Sequence, residues 1–238
     1  MNTKAIIFDK DGTLIDFDAF WVTISYEAID DILRTLNCEH ILQEEILSAL
    51  GVKNGITDIN GILCRGTYVQ MGQEIYKVLN NYGCTCTVEE VTKLTINAYH
   101  KNVAKGIIEP TCNNISEVLE QLRNRGIKLA IVTTDDSFIT QKCLETLGID
   151  TYFDAVYTDD GTMPTKPEPD CLYDFCEKQG LTTSEVIMVG DTLTDVFFAK
   201  NGGIKVIGVA KNNVNRKILS GQADVVIPDI SHIFEVLE

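Results

Sequence analysis

Hydrophobic positions follow two alternating rhythms along this chain. Short, nearly continuous apolar runs occur at Lys4 to Phe8 (KAIIF), Lys128 to Val132 (KLAIV), Val186 to Val189 (VIMV) and Lys205 to Val209 (KVIGV). A run apolar at successive positions leaves no polar face, which is the pattern of a strand buried on both sides. Between the runs the period changes. Ile115, Val118, Leu119 and Leu122 fall at i, i+3, i+4 and i+7, with Asn114 as a candidate N-cap and Gly126 as a stop; Leu172, Phe175 and Cys176 repeat the pattern before Gly180. Strands alternating with helices predict right-handed crossovers and an α/β fold, a Rossmann-like, doubly wound parallel sheet with its ligands beyond the carboxyl ends of the strands. Asp9, Asp11, Thr133, Thr134 and Asp191 stand just past such ends and are expected to meet in space.

From about Asp16 to Ile108 the alternation stops. Helical patterns cover roughly 18 to 36, 40 to 50, 68 to 82 and 88 to 105, and strand signals are scarce. An insertion of this size directly after the first strand predicts an inserted α-helical cap domain at 17–108, carried by a catalytic core made of 1–16 and 109–238. Gly51, Gly55, Gly61 and Gly66 punctuate a stretch, Gly51 to Thr67, expected to be a long loop that reads the substrate. Phe17, Phe20 and Trp21 are expected to form an apolar helix face at the hinge.

Composition narrows the function. The 238 residues carry 20 Lys plus Arg against 35 Asp plus Glu, a formal charge of -15. Such a surface repels a phosphate backbone and anionic lipid, so nucleic acid and membrane are not the expected partners. No apolar run approaches the ~18 to 20 residues needed to span a bilayer, and the first is interrupted by Asp9, so a cytoplasmic protein is expected. Eight cysteines in a chain with a normal-sized core then read as reduced thiols. The close pair Cys84 and Cys86 lacks zinc-site spacing.

Asp9-Lys10-Asp11-Gly12-Thr13, Thr133, Lys166 in Lys166-Pro167-Glu168-Pro169, and Gly190-Asp191-x-x-x-Asp195 follow one another in order. Together they resemble the motifs of the haloacid dehalogenase (HAD) superfamily, in which D-x-D-G-T marks the phosphotransferase branch. The insert resembles a type 1 helical cap. The resemblance implies a phosphoglycolate phosphatase-like enzyme, a Mg²⁺-dependent phosphatase hydrolysing a small phosphorylated metabolite through an aspartyl phosphate. Phosphoryl transfer asks for an in-line nucleophile, neutralisation of a dianion and a proton for the leaving oxygen. By the resemblance, Asp9 is the nucleophile, Asp11 protonates the leaving alcohol and then deprotonates water, and Thr133, Thr134 and Gly12 meet the phosphoryl group while Lys166 supplies positive charge. Clustered carboxylates beside a dianion require a cation, and a hard Mg²⁺ fits oxygen ligands. The implied metal residues are the Asp9 side chain, the Asp11 backbone carbonyl and Asp191. Asp195 is expected one layer out, orienting a metal-bound group, with an N-cap of the helix holding Phe197 and Phe198 as its plainer reading. Lys53 and Arg65, the basic residues of the Gly51 to Thr67 stretch, are candidates to meet a substrate carboxylate or second phosphate.

Three departures from the common family pattern stand out: Lys10 where an apolar residue is frequent, Thr134-Asp135 for Asn-Lys, and Asn113-Asn114 for Pro-Gly. None removes a catalytic group. Lys10 invites comparison with P-type ATPases, whose D-K-T-G-T lacks the second acid that Asp11 supplies here. A sugar-phosphate mutase of the β-phosphoglucomutase type is the alternative enzyme; Phe17 and Trp21 stand where such mutases carry Thr and His. Haloacid dehalogenases lack the second acidic residue, and a catalytically silent binding protein is expected to have lost a motif that this chain retains. His40, His100 and His232 lie away from all four motifs and receive no role.

Overall fold

The computed structural model describes residues 3–237. Strand β1 (Ala5–Phe8) is wholly buried and delivers Asp9 at its carboxyl end. The chain then forms a π-helical turn at Asp18–Val22 that runs into α1 (Thr23–Thr35), followed by α2 (Gln43–Ala49), the hairpin strands β2 (Val52–Lys53) and β3 (Ile56–Thr57), the single turn α3 (Ile62–Arg65), α4 (Tyr68–Asn81) and α5 (Val88–Asn102). Next come α6 (Ile115–Asn124), β4 (Lys128–Val132), α7 (Ser137–Leu147), β5 (Ala155–Tyr157), α8 (Asp170–Gln179), β6 (Val186–Gly190), α9 (Leu193–Gly202), β7 (Lys205–Val209), α10 (Asn213–Leu219) and β8 (Val225–Ile227). The described residues fall into two compact units, 3–16 with 108–237, and Phe17–Ile107.

In the first unit six parallel strands lie in the order β5-β4-β1-β6-β7-β8. Phe8 of β1 registers with Ile131 of β4 on one side and with Val189 of β6 on the other. The chain winds outward from β1 first one way and then the other, so the switch point of this doubly wound sheet lies at the carboxyl end of β1. Period-two alternation sends Ala5 and Ile7 to a core shared with Met188, Val206, Phe175 and Phe198. Phe8 turns to the opposite face, where its ring meets Phe153 edge-on at 6.5 Å. Gly180 and Gly203, both left-handed, close α8 and α9.

The second unit is mainly helical. The packing of α4 on α5 is close enough that a Cβ on Gly72 would meet the backbone of Thr92 at 2.6 Å. Thr67 and Thr87 cap the two helices, their hydroxyls accepting from the N–H groups of Gln70 and Glu90. Two expectations fail here. Gly51 to Thr67 is not a loop without secondary structure: Asn54 and Gly55, at φ of 52° and 73°, make the tight turn that folds β2 onto β3, and α3 follows. Nor are all eight cysteines thiols. Cys38 and Cys84 are disulfide-bonded. Both residues sit just past helix ends, the Cys38 N–H on the Leu33 carbonyl after α1 and the Cys84 N–H on the Leu79 carbonyl after α4, which sets their Cα atoms 6.6 Å apart, within bridging range. Cysteine usage therefore gives no support for a reducing compartment. Among the described residues no helix is long and apolar enough to cross a membrane.

Adjacent phenylalanines on α9 test how the sheet core holds this unit together. Phe198 is fully buried and Phe197 is 44% exposed. Phe198→Ala is expected to lower unfolding free energy by about 3–5 kcal/mol, and Phe197→Ala by less than about 1 kcal/mol, in urea titrations followed by circular dichroism.

Candidate active site

Three strand ends and one helix start bring the site residues together. Asp9 follows β1, Thr133 follows β4, Asp191 follows β6, and Asp195 lies in the first turn of α9. Lys166 comes from the segment before α8, and its ammonium is buried between two carboxylates, 2.5 Å from Asp9 Oδ1 and 2.6 Å from Asp195 Oδ1. The other oxygen of Asp195 accepts from the Thr192 N–H at 3.0 Å and from its hydroxyl at 2.7 Å. Thr192 is thus the N-cap of α9 and Asp195 its third residue, a capping box in which Asp195 is not itself the cap. Thr13, fully buried, donates its hydroxyl to Asp191 Oδ1 at 3.3 Å.

Two glycines make room for this cluster. Gly12, at φ +84°, lies so close to Asp191 that a Cβ there would overlap its carboxylate, and a Cβ on Gly190 would overlap that of Asp195. The Gly12 N–H donates to the Ile15 carbonyl at 2.7 Å, closing the turn that leaves space for Asp191.

Asp9, Asp191 and Asp195 can each offer an oxygen within 4.8 Å of the others. Their electrostatics report crowded negative charge. Burial pushes the Asp9 carboxyl up to about 7, against the pull of Lys166 and with added repulsion from Asp195 and Asp11. Asp191 is raised well above the usual carboxylate range, first by burial and then by the charges of Asp9 and Asp195. Burial opposes the charge on Lys166, but Asp195 and Asp9 outweigh it and hold the ammonium above its ordinary value. One ammonium among three carboxylates leaves an all-oxygen donor set with surplus negative charge, which suits a hard divalent cation. Asp195, with both oxygens engaged, is the least available of the three to bind it directly.

Asp11 points elsewhere. Both of its oxygens lie 2.7 Å from Lys10 Nζ, and the fully buried Lys10 also lies 2.9 Å from Asp135 Oδ2, an ion pair whose angles fall outside hydrogen-bond geometry. Thr133 is buried and accepts from the Asp135 N–H at 3.2 Å, whereas Thr134 is exposed. Lys53 and Arg65 lie in the helical unit, both exposed, with Arg65 donating to Asn60 Oδ1 at 3.3 Å. Sequence reasoning gave Thr13 and Asp135 no role. Their signals were present: the Thr of D-x-D-G-T, and two departures of opposite charge, Lys10 and Asp135, after strands that turn out to be neighbours.

Known proteins resemble this chain in sequence and in fold. The sequence profile of haloacid dehalogenase-like hydrolases matches residues 3–203. The chain is 27% identical over 248 residues to a phosphoglycolate phosphatase of Haemophilus influenzae, covering all of both chains. It is also 27% identical over 238 residues to the pyrophosphatase PpaX of Bacillus velezensis, covering 99% of this chain and 96% of that one. In fold it resembles the crystal structure of a predicted phosphoglycolate phosphatase from Haemophilus somnus, with a TM-score of 0.76 at 22% identity over 100% of this chain and 99% of the other. With its profile match spanning both the D-x-D-G-T turn after β1 and the Asp191 turn after β6, the chain belongs to the haloacid dehalogenase-like hydrolases.

Proposed function

We propose that this protein is a Mg²⁺-dependent phosphatase that hydrolyses a small phosphorylated metabolite, in the manner of the phosphoglycolate phosphatases it resembles, through an aspartyl phosphate on Asp9. The observation that carries the reading is the Lys166 ammonium clamped between Asp9 and Asp195 at the switch point of the sheet. Lys166 fixes one oxygen of Asp9 and so orients the carboxylate for in-line attack on phosphorus. As the Asp9 O–P bond forms, the bond from phosphorus to the leaving oxygen breaks, and the electron pair on that oxygen takes a proton from Asp11. Asp11 then removes a proton from the water that attacks the acyl phosphate, restoring the Asp9 carboxylate and releasing inorganic phosphate. The Thr133 hydroxyl and the Thr134 backbone N–H are assigned to the phosphoryl oxygens.

Asp9, Asp191 and the Asp11 backbone carbonyl would hold Mg²⁺, with Asp195 in an orienting role. When bound, the cation neutralises the phosphoryl dianion that the surrounding carboxylates would otherwise repel. In this reading the helical unit is the cap, and Lys53 and Arg65 serve the anionic remainder of the substrate. A panel containing 2-phosphoglycolate, inorganic pyrophosphate and hexose phosphates tests the substrate class: release of phosphate from a small phosphorylated metabolite supports the reading, whereas isomerisation of a hexose phosphate without net release points to the mutase.

Turnover is expected to vanish in excess chelator and to return with Mg²⁺. Asp191→Asn should raise the Mg²⁺ concentration needed for half-maximal rate by about 10-fold or more, since even outer-sphere partners of metal ligands are worth ~10–100-fold in affinity. Undiminished activity in chelator would remove the metal from the scheme.

Asp11→Asn separates the two proton transfers. With an alkyl phosphate, whose alkoxide needs a proton to leave, the rate should fall by about 10²–10⁴ with no covalent phosphate on Asp9. With 4-nitrophenyl phosphate the leaving group departs unaided, so a burst of nitrophenolate and a hydroxylamine-sensitive phosphate on Asp9 are expected. Equal slowing of both substrates without a burst would contradict the role given to Asp11.

A further inference from the structure

Lys10 is fully buried, and the scheme above does not use it. It follows Asp9 directly, yet its side chain turns away from the Lys166 cluster to a separate buried group. There its ammonium grips both oxygens of Asp11 at 2.7 Å and reaches Asp135 Oδ2 at 2.9 Å. Asp135 is held from its own side: its Oδ1 accepts from the Asp136 N–H at 2.9 Å, and its N–H donates to Thr133 Oγ1 at 3.2 Å. Its carbonyl accepts from the Asp159 N–H at 2.9 Å. Asp136 in turn caps α7 by accepting from the Ile139 N–H at 2.8 Å. One continuous set of polar contacts therefore runs from the start of α7, through Asp135 and Lys10, to Asp11, and touches Thr133 on the way.

An unbranched aliphatic side chain would fill the same space without these contacts, so the charge itself calls for a use. A lone carboxylate on a turn has several rotamers open to it, whereas one held at both oxygens has a single orientation. Burial strengthens such a contact and rewards it only when the geometry is good. Lys10 meets that condition at Asp11 Oδ1, where the contact is a hydrogen bond, and adds an ion pair to Asp135; both acidic side chains are only slightly exposed.

We propose that Lys10 is a positioning residue, which by clamping Asp11 and bridging it to Asp135 fixes the proton-transfer carboxyl relative to the Thr133 turn. The proposal rests on the phosphatase reading above and on Asp11 as its acid and base. Lys10 acts through Asp11. The same assignment gives the two sequence departures one cause, since a lysine after β1 and an aspartate after β4 satisfy each other.

The test is a double-mutant cycle on the full chain between Lys10→Met and Asp11→Asn, read with an alkyl phosphate and with 4-nitrophenyl phosphate. Lys10→Met is expected to lower kcat on the alkyl phosphate by about 10²-fold, the lower end of what a placed general acid contributes, with KM changed by less than about threefold. The burst rate with 4-nitrophenyl phosphate should fall by less than about threefold, because that first step needs no acid. In the Asp11→Asn background, adding Lys10→Met should change alkyl phosphate turnover by less than about twofold. Losses that multiply, or that strike both substrates alike, would overturn the proposal. Because Lys10→Met leaves Asp135 buried without its cation, the cycle is repeated with Lys10→Met/Asp135→Asn, which removes one charge of each sign, and thermal unfolding is recorded for every variant. A native melting temperature with the leaving-group-selective loss supports positioning; a native melting temperature with full alkyl phosphate turnover overturns it. Absence of any Asp9 phosphoenzyme in the unsubstituted protein would take down the phosphatase reading and the proposal together. A normal phosphoenzyme with unselective Lys10 variants would take down the proposal alone.

Discussion

Five acidic side chains gather around the ends of β1, β4 and β6, and what makes that arrangement tenable is the placement of two buried lysines among them. Lys166 holds Asp9 and Asp195; Lys10 holds Asp11 and Asp135. A charge taken out of water is unstable unless it is paired and its remaining hydrogen-bonding positions are met. Lys166 meets that condition for two carboxylates at once, while Lys10 hydrogen-bonds Asp11 and forms an ion pair with Asp135. Asp191 has no such partner among these contacts; it accepts a long hydrogen bond from Thr13, and burial with the charges of Asp9 and Asp195 raises its carboxyl well above the usual range. Surplus negative charge is concentrated where a divalent cation would sit, while the carboxyl assigned to proton transfer is kept in a different group, paired with Lys10.

Strand alternation creates this division. Asp9 and Lys10 are consecutive, so their side chains leave β1 on opposite sides. Asp9 turns toward Lys166 and α9, and Lys10 toward the Thr133 to Asp136 turn. The glycines complete the separation from the other direction, because Gly12 and Gly190 let Asp191 and Asp195 approach the backbone more closely than any side chain would allow. The missing Cβ at two positions leaves room for three acids to bring an oxygen each within 4.8 Å of the others.

Much of this was legible in the sequence, for physical reasons that differ by element. β1, β4, β6 and β7 lie inside the sheet, need apolar residues on both faces, and therefore stand out as continuous runs. β5 and β8 are the edges. They have three residues each, are only partly buried, and gave no run to detect. The motif acids were readable because chemistry fixes their type and spacing. Lys10 and Asp135 registered only as departures, since their partnership depends on β4 lying beside β1 although the whole helical unit and α6 come between them in the chain. The Cys38–Cys84 bond, 46 residues apart in the chain, was hidden for the same reason. Asn54-Gly55 was different: the turn signal was present, and the surrounding glycines obscured it.

The capping box at the start of α9 ties a structural job to a chemical one. Asp195 uses one oxygen to hold Lys166 and the other to satisfy the Thr192 N–H, so the first turn of the helix shares a carboxyl group with the site. The Thr192 amide is consequently joined to Asp9 by a continuous path through Asp195 and Lys166. In an isotope-labelled sample its resonance becomes a built-in voltmeter, registering any change of charge among these residues with no fluorophore, no chromogenic substrate and no need to choose a ligand in advance.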